Sequence, residues 1–339
     1  MLVPGSVLSA RSLERDANSR TPEERRAYSV LMQRWVFGML AAVCVALVLS
    51  GLAGVVLCEG ALHPARRPVS PDPEARTVPI TADDGIPLRA WLFKPGKPNG
   101  AAVVLLHGIA DSRSSQVGLA RMLVLHGYSV LAPDSRAHGE SGGNLATYGL
   151  RESGDVHRWV SWLMDTQHPR CVYGIGESLG GAVLIQSLEV EHRFSAIVAE
   201  SAFSSFERIA RDRIAERLPV PPGFGRFLAA TPVWGGFAYA RWRYGLDFRD
   251  ASAERALAKS ITPVLLIHGL NDRETPPQHS KILAASNPNV VTLWLVPGAG
   301  HTGAFGIAPR EFKKRVLEFF RTHPGRCLGI NQIPAVVAQ

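Results

Sequence analysis

The 339-residue sequence predicts an α/β fold in which a mostly parallel central sheet carries helices on both faces, with one membrane-spanning helix ahead of it. Three observations carry this. From residue 77 onward, continuous apolar runs of the kind that form strands buried on both faces alternate with helix-compatible segments. Between one such run and the next helical stretch lies Gly176-Glu177-Ser178-Leu179-Gly180, a Gly-x-Ser-x-Gly turn in a strand–turn–helix context. Ahead of both, residues 35–58 contain no charged side chain.

In chain order, residues 1–34 are polar and Arg-rich (Arg11, Arg15, Arg20, Arg25, Arg26, Arg34) and read as a mobile or loosely helical tail. The uncharged stretch 35–58 is long enough to cross a hydrocarbon core of about 30 Å at ~1.5 Å per residue. It lacks the polar face of a buried core helix. A cleaved signal peptide is the rival reading. The charged region before the stretch is long, the apolar run exceeds the usual ~7–15 residues, and no Ala-x-Ala site follows. Leu57 is also too large for a lipoprotein cleavage site at Cys58. An uncleaved single-pass anchor is therefore expected. Arg20, Arg25, Arg26 and Arg34 before the span slightly outweigh Arg66, Arg67 and Arg76 after it. That bias favours a cytoplasmic N-terminus and a catalytic domain on the extracytoplasmic side. Pro64, Pro68, Pro71 and Pro73 make 59–76 a stiff spacer.

The globular part spans 77–322. Segments 77–81 and 88–93 flank Asp83-Asp84-Gly85, a hairpin signal. Strands are expected at 101–106, 128–132, 171–173, 196–199, 263–267 and 290–296, and helices at 116–126, 149–164, 182–186 and 309–321. The stretch 201–259 between two core strands is far longer than a crossover needs and reads as a helical cap. Its aromatics, and Pro219 to Pro222, suit an apolar entrance. Residues 323–339 read as a peripheral tail.

The net charge of +8 is spread over scattered Arg, without a basic block interleaved with aromatics, which argues against nucleic acid as a partner. The four cysteines match no zinc spacing and give no disulfide framework.

A serine hydroxyl is a weak nucleophile that needs a base, and the base needs an acid to fix its tautomer. Ser178 sits on the sharp turn, where its hydroxyl is exposed. Downstream, Asp272 follows the apolar run 265–267 and His301 follows the run 293–296. Ser, Asp and His thus occur in the order this turn requires, each at the carboxyl end of a strand, where open α/β sheets place their sites. The Leu179 N–H and the Ile109 N–H, the latter on the loop after the 101–106 strand, are the candidate oxyanion donors. Neither a metal nor an organic cofactor is needed.

These residues, with His107-Gly108 and the stretch 134–141 (Asp-Ser-Arg-Ala-His-Gly-Glu-Ser), resemble the α/β-hydrolase superfamily from about 77 to 321. Within it the chain is similar to the serine aminopeptidase-like and monoacylglycerol lipase-like hydrolases. Their usual motif has Gly where this chain has Ala137. The resemblance implies the α/β-hydrolase fold, with Ser178 as nucleophile, Asp272 as acid and His301 as base. It covers esterases, lipases and peptidases alike.

Other residues have structural readings. His107 and His268 are expected in turns, His138 as a buried hydrogen-bonding residue, Asp111 as a cap and Asp155 as a solvated helix residue. Glu200 is a second possible acid. Trp234, Phe237, Tyr239, Trp242 and Tyr244 line a pocket or simply pack. The expected function is a membrane-anchored serine hydrolase acting on a small-molecule ester or lipid-like substrate. A serine peptidase of the same mechanism and a non-catalytic binder are the alternatives. A peptidase that trims N-termini needs cap carboxylates to hold the amine, and Glu207, Asp212, Glu216, Asp247, Asp250 and Glu254 are available.

Overall fold

A computed structural model describes residues 21–324. The first element, α1 (Pro22–Leu62), is a 41-residue helix. The helix starts earlier than expected because Thr21 and Glu24 form a reciprocal capping box, Pro22 occupies the first turn, and Glu23 and Glu24 complement the helix dipole. So 22–34 is helical, the second of the two readings of the tail, with Thr21 as its cap; residues 1–20 lie outside the described residues, as does most of 323–339. The apolar part of α1 is almost entirely exposed, and by length and composition the helix can cross a membrane.

The sheet contains β1 (Arg76–Thr81), β2 (Pro87–Phe93), β3 (Ala101–Leu106), β4 (Ser129–Pro133), β5 (Cys171–Glu177), β6 (Phe194–Glu200), β7 (Val264–Gly269) and β8 (Val291–Val296). Their spatial order is β1-β2-β4-β3-β5-β6-β7-β8. The β1–β2 and β2–β4 pairs are antiparallel and every other pair is parallel. Side chains alternate across the layer as the pleat demands. In β3, Ala102, Val104 and Leu106 join one core while Val103 and Leu105 join the other. This is why β3 reads as an unbroken apolar run.

One face is covered by α3 (Glu152–Gln167), α4 (Leu179–Ser187), α8 (Ala253–Lys259) and α9 (Gln278–Ser286). The other is covered by α2 (Val117–Leu125), α10 (Ala304–Ile307) and α11 (Pro309–Thr322). The amphipathic α11 buries Phe312, Val316, Phe319 and Phe320, and Phe320 stacks on Tyr173 at 4.3 Å between ring centroids.

Between β6 and β7 run α5 (Phe206–Glu216), α6 (Pro222–Leu228), α7 (Ala230–Tyr244) and α8. Of these, α8 packs on α4 and serves as the crossover. Only α5 to α7 stand off the sheet, and α7 packs along the C-terminal half of α1.

The segment after α1 is not a free spacer. Arg66 donates to the carbonyls of His138, Gly139, Ser141 and Gly143, at 3.2, 3.0, 2.5 and 2.6 Å. A guanidinium with several N–H groups in one plane suits a turn whose carbonyls converge. Arg67 pairs with Asp111 at 2.9 Å, and the Ser70 N–H donates to Ser114 Oγ at 3.0 Å. Cys44, on the exposed length of α1, and the half-buried Cys58 are free thiols.

Candidate active site

Ser178 occupies the turn between β5 and α4 with φ +52° and ψ −115°, a conformation L-residues rarely adopt. The glycines around it are steric necessities. A Cβ on Gly176 would lie 2.4 Å from the Gly180 backbone, and one on Gly180 would lie 2.4 Å from the Leu106 carbonyl oxygen. Only bare backbone lets strand, turn and helix approach this closely.

The structure brings Ser178, His301 and Asp272 together from three loops. His301 Nε2 lies 2.9 Å from Ser178 Oγ, and its Nδ1 lies 2.9 Å from Asp272 Oδ2. In the tautomer this requires, Ser178 donates to Nε2 and Nδ1–H donates to the carboxylate. Asp272 is buried, and its Oδ1 accepts the Thr275 N–H at 2.8 Å. Burial pushes its carboxyl up. The hydrogen bonds from His268, His301 and the Thr275 amide outweigh that and hold it well below the usual carboxylate range.

Sequence reasoning left His268 in a turn, and its contacts give it a larger part. Its Nε2 lies 2.7 Å from the Thr275 carbonyl oxygen and 3.2 Å from Asp272 Oδ2, while Ser280 Oγ lies 2.6 Å from Nδ1. His268 therefore braces the acid at Oδ2, the same oxygen that His301 contacts. A His immediately before Gly at the end of a strand whose loop carries the acid was the available signal.

Glu200 is not placed to serve as the acid. Its Oε1 accepts the Ala304 N–H at 2.8 Å, Oε2 is buried without a hydrogen-bond partner, and burial raises its pKa to about 8. Next to it, Ser201 Oγ accepts the Thr302 N–H at 3.1 Å. The end of β6 thus clamps the loop that carries His301. Asp155 is no solvated residue either. It is buried and receives two hydrogen bonds from Arg136, at 2.7 and 2.6 Å. Ala137, where the resembling family has Gly, has φ +61°. His107 is buried, with its Nε2 accepting the Ser135 N–H at 3.1 Å, and His138 is buried as expected.

Leu179 is the first residue of α4, so its N–H has no acceptor within the helix. On the other side, a Cβ on Gly108 would sit 3.4 Å from Ser178 Cβ, so the β3 loop bearing Ile109 passes against the nucleophile. Ile109, Leu179 and Ser178 open onto one cavity of about 500 Å³. Its walls are mainly apolar, and among the described residues no Asp or Glu lines it. Of the aromatics, Phe237 lines the cavity, while Trp234 and Trp242 face outward. Of the cap carboxylates, Glu207 pairs with Arg211, Asp212 with Arg226 and His279, Asp247 with Arg249, Asp250 with Arg255, and Glu254 with Arg208.

Comparison with known proteins places residues 103–315 in a match to the alpha/beta hydrolase family. The uncharacterized protein YfhR of Escherichia coli is 27% identical over 265 residues, 76% of this chain and 84% of that protein. The uncharacterized protein YqkD of Bacillus subtilis is 27% identical over 222 residues, 64% of this chain and 70% of that one. Among solved structures, the Pyrococcus furiosus esterase Pf2001 is 26% identical with a TM-score of 0.63, covering 78% of this chain and all of its own.

Proposed function

Because the chain belongs to the alpha/beta hydrolase family, we propose that it is a membrane-anchored serine hydrolase that cleaves carboxylic esters with an apolar acyl group. The observation that carries this reading is the unbroken Ser178–His301–Asp272 chain of 2.9 Å contacts, with its serine facing an apolar cavity. The esterase activity of the similar Pyrococcus protein supports it.

In the mechanism, Ser178 Oγ attacks the ester carbonyl carbon as its proton passes to His301 Nε2. Asp272 holds the imidazole in the required tautomer and stabilises the imidazolium. The Leu179 and Ile109 amides receive the oxyanion. His301 then gives the proton to the leaving alkoxide, the alcohol departs, and Ser178 carries the acyl group. Water, deprotonated by His301, attacks that acyl-enzyme; the bond from the acyl carbon to Ser178 Oγ breaks as His301 returns the proton to Oγ, and the carboxylic acid leaves.

A peptidase with the same machinery has weaker support, because among the described residues no carboxylate lines the cavity to hold a free amine. A non-catalytic binder has no need of an assembled Ser-His-Asp chain. The anchor reading rests on the exposed apolar length of α1.

The test is labelling of the full-length protein with a fluorophosphonate probe, beside a panel of acyl esters and aminoacyl amides. Labelling that disappears in Ser178→Ala, with esters turned over faster than amides, is expected. An unlabelled but folded wild type overturns the serine mechanism, and preferential amide cleavage overturns the ester assignment. Asp272→Asn, which leaves the imidazole without its anionic partner, is expected to lower kcat by about 10⁴-fold.

A further inference from the structure

The last turns of α1 border the reaction site itself. Leu57, Gly60 and Ala61 line the same cavity as Ser178, across from Ile214 on α5 and Phe237 on α7. The two helices meet backbone to backbone. A Cβ on Gly54 would fall 1.9 Å from the Pro232 carbonyl oxygen, one on Gly235 would fall 2.7 Å from the Gly51 carbonyl oxygen, and one on Gly236 would fall 2.7 Å from the Gly54 carbonyl oxygen. Glycine seams of this kind let helices pack at very short range within lipid.

The seam is held at its lower end by polar contacts. Tyr244 donates to Glu59 Oε1 at 2.7 Å, and Tyr148, from the loop before α3, donates to the Ala61 carbonyl at 3.0 Å. Past the seam the packing opens, and a Cβ on Gly60 would meet nothing within 4 Å. The cavity is therefore walled on one side by the helix that reads as the anchor.

The outward surface beside this wall has the composition of a membrane interface. Phe227 on α6 is 72% exposed, and Trp234 and Trp242 on α7 are 73% and 80% exposed. Arg226, Arg241 and Arg243 lie on the same two helices. Tryptophan and arginine at the end of an apolar span suit the headgroup layer.

We infer that the end of α1 is a substrate-binding element, and that the substrate is a lipid whose acyl chain reaches Ser178 from the bilayer along this helix. The inference rests on the ester-hydrolase reading and deepens it. The membrane helix then selects substrate as well as tethering the enzyme, and the glycine seam with α7 fixes the width of the acyl slot.

Two measurements on full-length protein in phosphatidylcholine vesicles test this. The first is kcat/KM for p-nitrophenyl laurate and p-nitrophenyl butyrate in wild type, Gly60→Phe, Gly54→Leu and Gly38→Phe. Gly60 lines the cavity, and a Cβ there meets nothing within 4 Å, so the Gly60→Phe ring can be accommodated beside it. The laurate-to-butyrate ratio is expected to fall at least about tenfold, the equivalent of losing roughly two buried methylenes. Gly54→Leu wedges the seam and should lower the same ratio, whereas Gly38→Phe, far up the helix, should leave it unchanged. An unchanged ratio in Gly60→Phe overturns the inference.

The second measurement needs no turnover: photocrosslinking by a diazirine-bearing long-chain fatty acid in Ser178→Ala protein. Expected is capture by the 54–62 segment that drops relative to capture by 38–50 when Gly60→Phe is added. Capture that ignores the substitution overturns the inference. Crosslinking that behaves as expected in a protein without esterase activity would instead sink the ester reading and leave the binding element standing.

Discussion

At the end of β6, Glu200 holds a proton that most surface carboxylates would have lost. Burial raises its pKa to about 8, against 4.5 for the free group, and one of its oxygens lacks a partner. The folded state thus binds the proton more tightly than the unfolded chain. Stability is fully present below the unfolded value and declines as pH rises from about 4.5 to about 8, at up to ~1.4 kcal/mol per pH unit. Glu200→Gln keeps an acceptor for the Ala304 N–H and has no charge to expose. Thermal unfolding from pH 5 to 9 is expected to show a flatter profile for the variant and a higher Tm above pH 8. Identical profiles would mean that Glu200 is ionised in the fold. Ala137 makes a second case. An L-residue at φ +61° is strained by about 1–2 kcal/mol, part of which glycine gives back as unfolded-state entropy. Ala137→Gly is expected to raise stability by about 0.5–1 kcal/mol in a denaturant titration. Ser178, Asp272 and His301 were legible in the sequence because each has an apolar run just before it and their order is restrictive. Glu200, Asp155 and His268 were not, because a residue type says nothing of which neighbours exclude water from it. His268→Leu removes a brace on Asp272 without touching substrate. It is expected to lower kcat by about 10- to 100-fold with KM unchanged, and a large rise in KM would assign His268 to binding instead.

Among the elements, those the sequence announced most clearly are those buried on both faces. Strand β3 is apolar throughout, and β5 and β7 are apolar up to Glu177 and His268 near their carboxyl ends, because their side chains meet one of two cores; their ends fell within a few residues of expectation. The limits of α1 were harder to see. Hydropathy marks where charges stop, but a helix continues until its caps and contacts end it. Here it runs on to Leu62, which is fully buried, and its carbonyl accepts the Ala146 N–H at 2.9 Å. The proline-rich segment that follows read as a spacer because proline favours extended chain. Nothing local tells that Arg66 finds four carbonyls more than 70 residues away. That dock is itself testable. Arg66→Ala leaves the turn 138–143 without its donor and is expected to cost about 1–3 kcal/mol, read as a lower Tm and faster proteolysis between 63 and 76. Unchanged proteolysis there would show that the segment is held by other contacts.

For the molecule as a whole, the deciding question is what covers α1. A helix of 41 residues spans about 60 Å, and its apolar half is nearly all exposed outside its contact with α7. Water is a poor solvent for such a surface, since apolar area costs roughly 25 cal/mol per Å² left exposed. A bilayer removes that cost over the uncharged stretch 35–58 while leaving Arg25, Arg26 and Arg34 on one side and the hydrolase domain on the other. The exposed Trp234 and Trp242 then come to lie near the headgroups rather than in bulk water. An integral anchor predicts that the intact chain stays in the membrane pellet after washing with high salt and with alkaline carbonate, and leaves it only with detergent. Mass spectrometry of that pellet should find peptides from before residue 35 on the same polypeptide as those from the catalytic domain. Release by carbonate alone would make α1 a peripheral helix. A mature chain beginning after residue 58 would make it a cleaved leader, and the last turns of α1 would then be missing from the wall of the cavity.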